Sequence, residues 1–260
     1  MIDVVNLTQH YGVRPVLKDI NLHIEAGELV VVVGPNGMGK STLLGAMGGV
    51  LSPQHGYVAI DGKRRRQSEE DELAIRRMTV FLPDQPWLPG RKTGREFLLA
   101  VGKLYGVEDD SLFDQIERLM KLFDLLSIGD APLSSYSAGQ RKKAALSAAL
   151  LTGARVLLLD EPFSGGLDPA GLLALKRVLQ RRTKEEGCTI VLTSPVPEIV
   201  EEIAGRIVLL REGKVAAFDT LDGLRRTTEV QGSLGQVLES MLYPDIAGKL
   251  ESYFETRRDA

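Results

Sequence analysis

Apolar and polar residues largely alternate over residues 2–24, with Val16, Ile20, Leu22 and Ile24 in one phase and a break at Tyr11-Gly12. That is the period of a half-buried strand, so the segment predicts short strands joined by a turn. Residues 29–33 read Leu-Val-Val-Val-Val, an unbroken apolar run between Gly27-Glu28 and Gly34. Residues 156–159 form a second such run, ending in Asp160. Runs without alternation predict strands buried on both faces, as in a parallel sheet. Residues 57–61, 78–82, 189–193 and 207–210 are also strand-like. Helical patterns cover 41–47, 93 to about 126 with a break near 106–110, 144–151, 172–183 and 199–204. Residues 83–89 hold three prolines and the only tryptophan, and predict a loop. Strands alternating with helices imply an α/β domain around a mainly parallel sheet. Leu234, Val237, Leu238 and Met241 give the polar last stretch the look of a terminal helical extension.

Charge and composition narrow this picture. Lys63-Arg64-Arg65-Arg66 is a basic run followed closely by Glu69, Glu70, Asp71 and Glu72, so local charge nearly cancels and a solvated turn is expected. A net charge of -3 gives no footprint for a nucleic-acid partner. One cysteine, Cys188, excludes an intramolecular disulfide framework and a cysteine-cluster zinc site. No apolar run approaches the ~18 residues of a membrane span. The start of the chain lacks the basic-then-apolar order of a signal peptide, so a cytoplasmic protein is expected. All three histidines, His10, His23 and His55, lie in the first 55 residues.

Gly34-Pro35-Asn36-Gly37-Met38-Gly39-Lys40-Ser41 matches G-x-x-x-x-G-K-[ST] between a buried strand and a helix. Glycines let backbone N–H groups curl around phosphate oxygens, and the helix N-terminus adds partial positive charge. Lys40 is then placed for the β- and γ-phosphates, Ser41 for Mg²⁺ and Thr42 for the α-phosphate. This predicts nucleotide binding with Mg²⁺.

Asp160 at the end of its strand can hold Mg²⁺ through water, and Glu161 beside it can accept a proton from an attacking water. Upstream, Tyr136-Ser137-Ala138-Gly139-Gln140 opens a helix and resembles the L-S-G-G-Q signature of the ATP-binding cassette (ABC) family. With the P-loop, this order and spacing identify an ABC ATPase domain over about residues 2–225. The resemblance implies the P-loop NTPase fold of that family: a mainly parallel core sheet, an N-terminal antiparallel β subdomain and a helical subdomain at about 93–150. Residues 226–260 are the C-terminal extension. It also implies that Tyr11 stacks on adenine, though the same residue fits a plain strand aromatic. Asp160 and Ser41 resemble the Mg²⁺ ligands, and Glu161 with Lys40 the catalytic pair. Ser137, Ala138, Gly139 and Gln140 look like the group that covers the γ-phosphate of another subunit, with helix capping by Ser137 as the plainer role. A head-to-tail pair of ABC subunits, homo- or heterodimeric, follows from that.

Leu82-Pro83-Asp84-Gln85 and Thr93-Gly94-Arg95-Glu96 resemble the separate ATPase chains of ABC-2 type exporters, as does Ser233-Leu234. This implies an integral membrane partner and a peripheral position at the cytoplasmic face of the membrane. Trp87 is either a contact for that partner or a locally packed aromatic.

The chain departs from the family pattern at three places. Asp84 stands at the Q-loop glutamine position, with Gln85 one residue on; either could hold Mg²⁺ or orient water. The D-loop, Phe163 to Asp168 with Leu167-Asp168 at its end, is one residue longer than usual. Pro195 stands where the family carries its switch histidine, and Gly205 where an aspartate precedes Arg206. Proline offers neither a side-chain donor nor an N–H to a phosphate. A slow or partner-dependent ATPase is expected, with a regulatory ATP-binding subunit of little turnover as the alternative.

Overall fold

The computed structural model describes residues 1–243 and residue 253. Its centre is a six-stranded sheet in the order β10-β9-β3-β8-β7-β6. The strands are β3 (Leu29–Val33), β6 (Thr79–Leu82), β7 (Val156–Leu159), β8 (Thr189–Thr193), β9 (Arg206–Arg211) and β10 (Lys214–Asp219). All neighbours run parallel except the β9–β10 edge hairpin. A second, antiparallel sheet has the order β2-β1-β4-β5 and holds β1 (Ile2–His10), β2 (Pro15–Ile24), β4 (His55–Ile60) and β5 (Lys63–Arg64).

The unbroken valine run has a structural reason. Leu29, Val31 and Val33 face one core, shared with α3 (Gly94–Leu104), α4 (Asp109–Leu122), α5 (Ala138–Leu151) and α6 (Pro169–Glu186). Val30 and Val32 face the other, which contains α1 (Lys40–Met47) and the antiparallel sheet. A strand between two cores has no solvent face, and its period-2 signal disappears. Helix starts are set by local chemistry. Thr93 and Glu96 form a reciprocal capping box at α3, and Ser137 with Gln140 does the same at α5. Asp168 caps α6 ahead of Pro169, where a missing N–H costs nothing. Pro197 plays the same part for α7 (Pro197–Ile203), starting it two residues before the apolar pattern does.

The basic run at 63–66 is a solvated turn only in part: Arg66 is exposed in a turn, but Arg65 is not exposed. Lys63 and Arg64 form β5, and Arg64 lies over the Tyr57 ring, 4.2 Å from its centroid. Arg65 is buried; its Nε donates to the Met47 carbonyl at 2.6 Å and its Nη1 to Glu72 Oε1 at 3.0 Å. Glu72 belongs to α2 (Glu69–Met78), which the charge pattern concealed because only Ile75 on it is buried. Ser68 caps α2, four acids fill its first turn, and Arg76 and Arg77 close its last, a favourable arrangement for the helix dipole. Burial lowers the pKa of Arg65, and Glu72 opposes that shift. Removing one partner of a buried pair strands the other, so Glu72→Gln is expected to cost about 3 kcal/mol in urea unfolding. Glu70→Gln, on the exposed face, is expected to change stability by less than about 0.5 kcal/mol.

Past β10 come α8 (Leu221–Thr228) and α9 (Leu234–Leu242). Leu234 and Val237 anchor α9 in the main core, and Arg211 donates to the Met241 carbonyl at 2.8 Å. Residue 226, the expected start of the terminal extension, falls inside α8; most of 244–260 lies outside the described residues.

Candidate functional site

β3 delivers the chain into the glycine loop. Gly34 sits at φ 153°, and a Cβ there would lie 2.3 Å from the Leu210 carbonyl of β9, so only glycine fits. Pro35, Asn36, Gly37 and Met38 carry the loop outward, and Gly39 opens α1. No side chain caps α1 and no acid lies in its first turn, which leaves its leading N–H groups to an external anion. Lys40 is buried, and its Nζ donates to the Gly34 and Pro35 carbonyls at 2.8 and 3.2 Å. Burial lowers its pKa, while the Glu161 and Asp160 charges oppose that shift. Ser41 is exposed and Thr42 half-buried on the first turn.

Asp160 follows β7 and is buried, with its N–H donating to the Leu82 carbonyl at 2.8 Å. Glu161 beside it is half-buried at φ 45°, a left-handed conformation that non-glycine residues rarely adopt. Thr193, at the end of β8, touches both: its hydroxyl donates to Asp160 Oδ1 at 2.7 Å and accepts the Glu161 N–H at 2.8 Å. Sequence reasoning passed over Thr193; its only signal was a hydroxyl closing an otherwise apolar run.

The donors fit a hard divalent cation. Ser41 and Asp160 offer oxygen only. Among the described residues no group of three or more His, Cys, Asp or Glu could hold a metal, so such an ion needs phosphate oxygens and water as further ligands.

Asp84 does not stand free. The buried Lys142 Nζ donates to its carbonyl at 3.0 Å and lies 3.5 Å from its Oδ1, and Ser164 Oγ lies 3.4 Å from that oxygen. Burial lowers the Lys142 pKa against the pull of Asp84. The Q-loop, signature helix and D-loop are therefore tied together within one chain, while Gln85 is exposed. Ser137 Oγ accepts the Gln140 N–H at 3.2 Å, so the capping role is real, yet the hydroxyl proton remains free to donate. Ala138 is exposed, and Gly139 is half-buried against the D-loop: a Cβ on it would lie 2.3 Å from the Gly166 carbonyl. Asp168 is spoken for within the chain, accepting from Gly171 N–H and from Lys143 Nζ, both at 2.7 Å; the Lys143 bond leads in holding its carboxyl below the usual range. Leu167 before it is half-buried.

Tyr11 is 57% exposed at the β1–β2 turn, and Trp87 is 85% exposed, so local packing does not bury Trp87. Pro195 lines a cavity of about 590 Å³ with Gly34, Pro35 and, from α9, Leu238 and Leu242. That neighbour for the P-loop was not foreseen from the sequence.

An anion cradle at a helix N-terminus, fed by the middle of a parallel sheet and overlooked by paired acids from the same sheet, defines a P-loop nucleoside triphosphatase. Within that class the signature at α5 and the acids after β7 select one branch, and the sequence model for the ABC transporter family matches residues 17–164. The chain belongs to the ABC transporter family and has the fold of its ATPase cassette. It is 31% identical over 259 residues to the methionine import ATP-binding protein MetN of Legionella pneumophila (strain Lens), covering 99% of this chain and 74% of that one. A solved ATP-binding subunit of an ABC transporter superposes with a TM-score of 0.85 at 28% identity, covering 93% and 99% of the two chains. A dimeric post-hydrolysis state of the cassette MJ0796, bound to ADP and Pi, gives a TM-score of 0.77 at 26% identity over 85% and 99%. Among the described residues no helix is long and apolar enough to cross a membrane.

Proposed function

We propose that this chain hydrolyses ATP at a head-to-tail interface between two cassettes, at the cytoplasmic face of the membrane, and drives export through a separate integral membrane subunit. The observation that carries the reading is Glu161 beside Asp160, both held by Thr193, which pairs with Val32 of β3 two residues before the glycine loop. In this reading the α1 N–H groups and Lys40 hold the β- and γ-phosphates, and Tyr11 stacks on adenine. Ser41 and Asp160 would hold Mg²⁺, which would supply charge neutralisation on the phosphate oxygens. Glu161 takes a proton from a water aligned with the γ-phosphorus. Ser137 and Gly139 of the partner subunit close over the γ-phosphate, which suits a helix N-terminus.

Export rests on the exporter-like Q-loop region, against which stands a relative named for import. Exposed Trp87 beside an apolar cavity of about 320 Å³ gives the membrane partner an aromatic contact. The second reading, a regulatory ATP clamp, is favoured by Pro195 alone. Losing one oxyanion-type contact costs about 10²–10³ in rate, which slows hydrolysis without abolishing it. With its membrane chain, the protein is expected to release phosphate from ATP, and Pro195→His is expected not to slow that release. Turnover that falls in Pro195→His contradicts a switch position merely lacking its donor.

A further inference from the structure

We propose that Thr193 is a positioning residue for hydrolysis, one hydroxyl setting both acids of the site. The inference rests on the roles proposed for Asp160 and Glu161. β7 and β8 pair in parallel with Leu159 opposite Leu192, so the next residues, Asp160 and Thr193, meet where the strands end. Thr193 is fully buried there. A threonine hydroxyl has one proton. That proton goes to Asp160 Oδ1 at 2.7 Å, and the oxygen's lone pair takes the Glu161 N–H at 2.8 Å. Both directions are fixed, because a carboxylate can only accept and an amide N–H can only donate.

The second contact bears on an unusual backbone. Glu161 holds φ 45°, a conformation that persists only where its surroundings over-determine it. Its peptide groups are held on both sides. Thr193 takes the N–H, while Ser164 donates to the carbonyl through N–H at 3.1 Å and Oγ at 2.9 Å. Thr193 therefore fixes the rotation of the Asp160 carboxylate and the direction in which the Glu161 side chain leaves the main chain. Neither effect requires Thr193 to touch ATP.

The test is Thr193→Val, which keeps the shape and deletes the hydroxyl, beside Thr193→Ser, which keeps the hydroxyl. Outer-shell partners of metal ligands typically contribute 10–100-fold. Thr193→Val is expected to need about 10–100-fold more Mg²⁺ for half-maximal Mg²⁺-dependent ATP binding, with binding in EDTA unchanged. Its kcat is expected to fall by a similar factor while KM for ATP moves by less than about threefold. Thr193→Ser is expected to restore both. Wild-type Mg²⁺ dependence and kcat in Thr193→Val overturn the proposal, as does a serine variant as impaired as the valine. If Thr193→Val does not fold, Thr193→Cys replaces it, with similar volume and a weaker donor. The same losses are then expected, and wild-type Mg²⁺ dependence and kcat in Thr193→Cys overturn the proposal equally. Failure of the underlying reading looks different: Glu161→Gln then keeps wild-type turnover.

Discussion

Lys40→Met is expected to lower ATP affinity about a hundredfold and to leave the fold intact. The ammonium sits on the carbonyls of its own loop, Gly34 and Pro35, in a buried position. In the proposed site, phosphate oxygens take the place of those carbonyls. Charge-assisted hydrogen bonds are worth about 1.5–3 kcal/mol each, and about 2.8 kcal/mol is a factor of about a hundred. Stability does not follow affinity. The ammonium is desolvated in the free protein, a cost visible in the downward push on its pKa, and methionine fills the channel without it. Isothermal titration with ATP checks the first half and urea unfolding the second. Affinity within about threefold of wild type would remove Lys40 from the nucleotide site.

Glu161→Gln is expected to slow turnover by about 10²–10⁴-fold, the usual share of a positioned general base, and to keep ATP binding. The replacement is nearly isosteric, and the contacts that hold residue 161 are backbone contacts. The N–H to Thr193 and the carbonyl bonds from Ser164 survive the change. Glutamine also tolerates the left-handed backbone as well as glutamate does. Only the proton acceptor is lost. With ATP left uncleaved, an ATP-bound dimer is expected to accumulate in size-exclusion chromatography with Mg²⁺. A variant that remains monomeric at saturating ATP argues against closure by the signature of a partner.

The parts of this site that were legible in the sequence are those whose chemistry is local. The glycine loop, Lys40 and the acid pair after β7 each need specific residue types at fixed spacing. The two-faced strands β3 and β7 show through composition alone. What stayed hidden depends on pairing across the sheet or between charged elements. Thr193 acquires its role only when β7 and β8 align. Lys142 gives no local sign of its contact, which forms only when the Q-loop folds over it and its Nζ reaches Asp84. Arg65 looked solvated because its partner Glu72 sits in a helix that buries one residue and so carries little apolar period. β10 was overlooked because an edge strand is half-exposed and its register is set by β9, not by its own pattern. The P-loop's neighbour α9 is separated from it by some 200 residues of chain, and nothing local announces that contact.

The central claim is that this cassette hydrolyses ATP through Glu161 although Pro195 replaces the switch histidine. Phosphate release from Mg²⁺-ATP, followed for the wild type and Glu161→Gln under identical conditions with the membrane chain, tests it most directly. Slow but measurable turnover is expected in the wild type, and about a hundredfold less, or lower still, in Glu161→Gln. Equal, background-level release from both, with ATP tightly bound, contradicts the claim and makes the chain an ATP clamp.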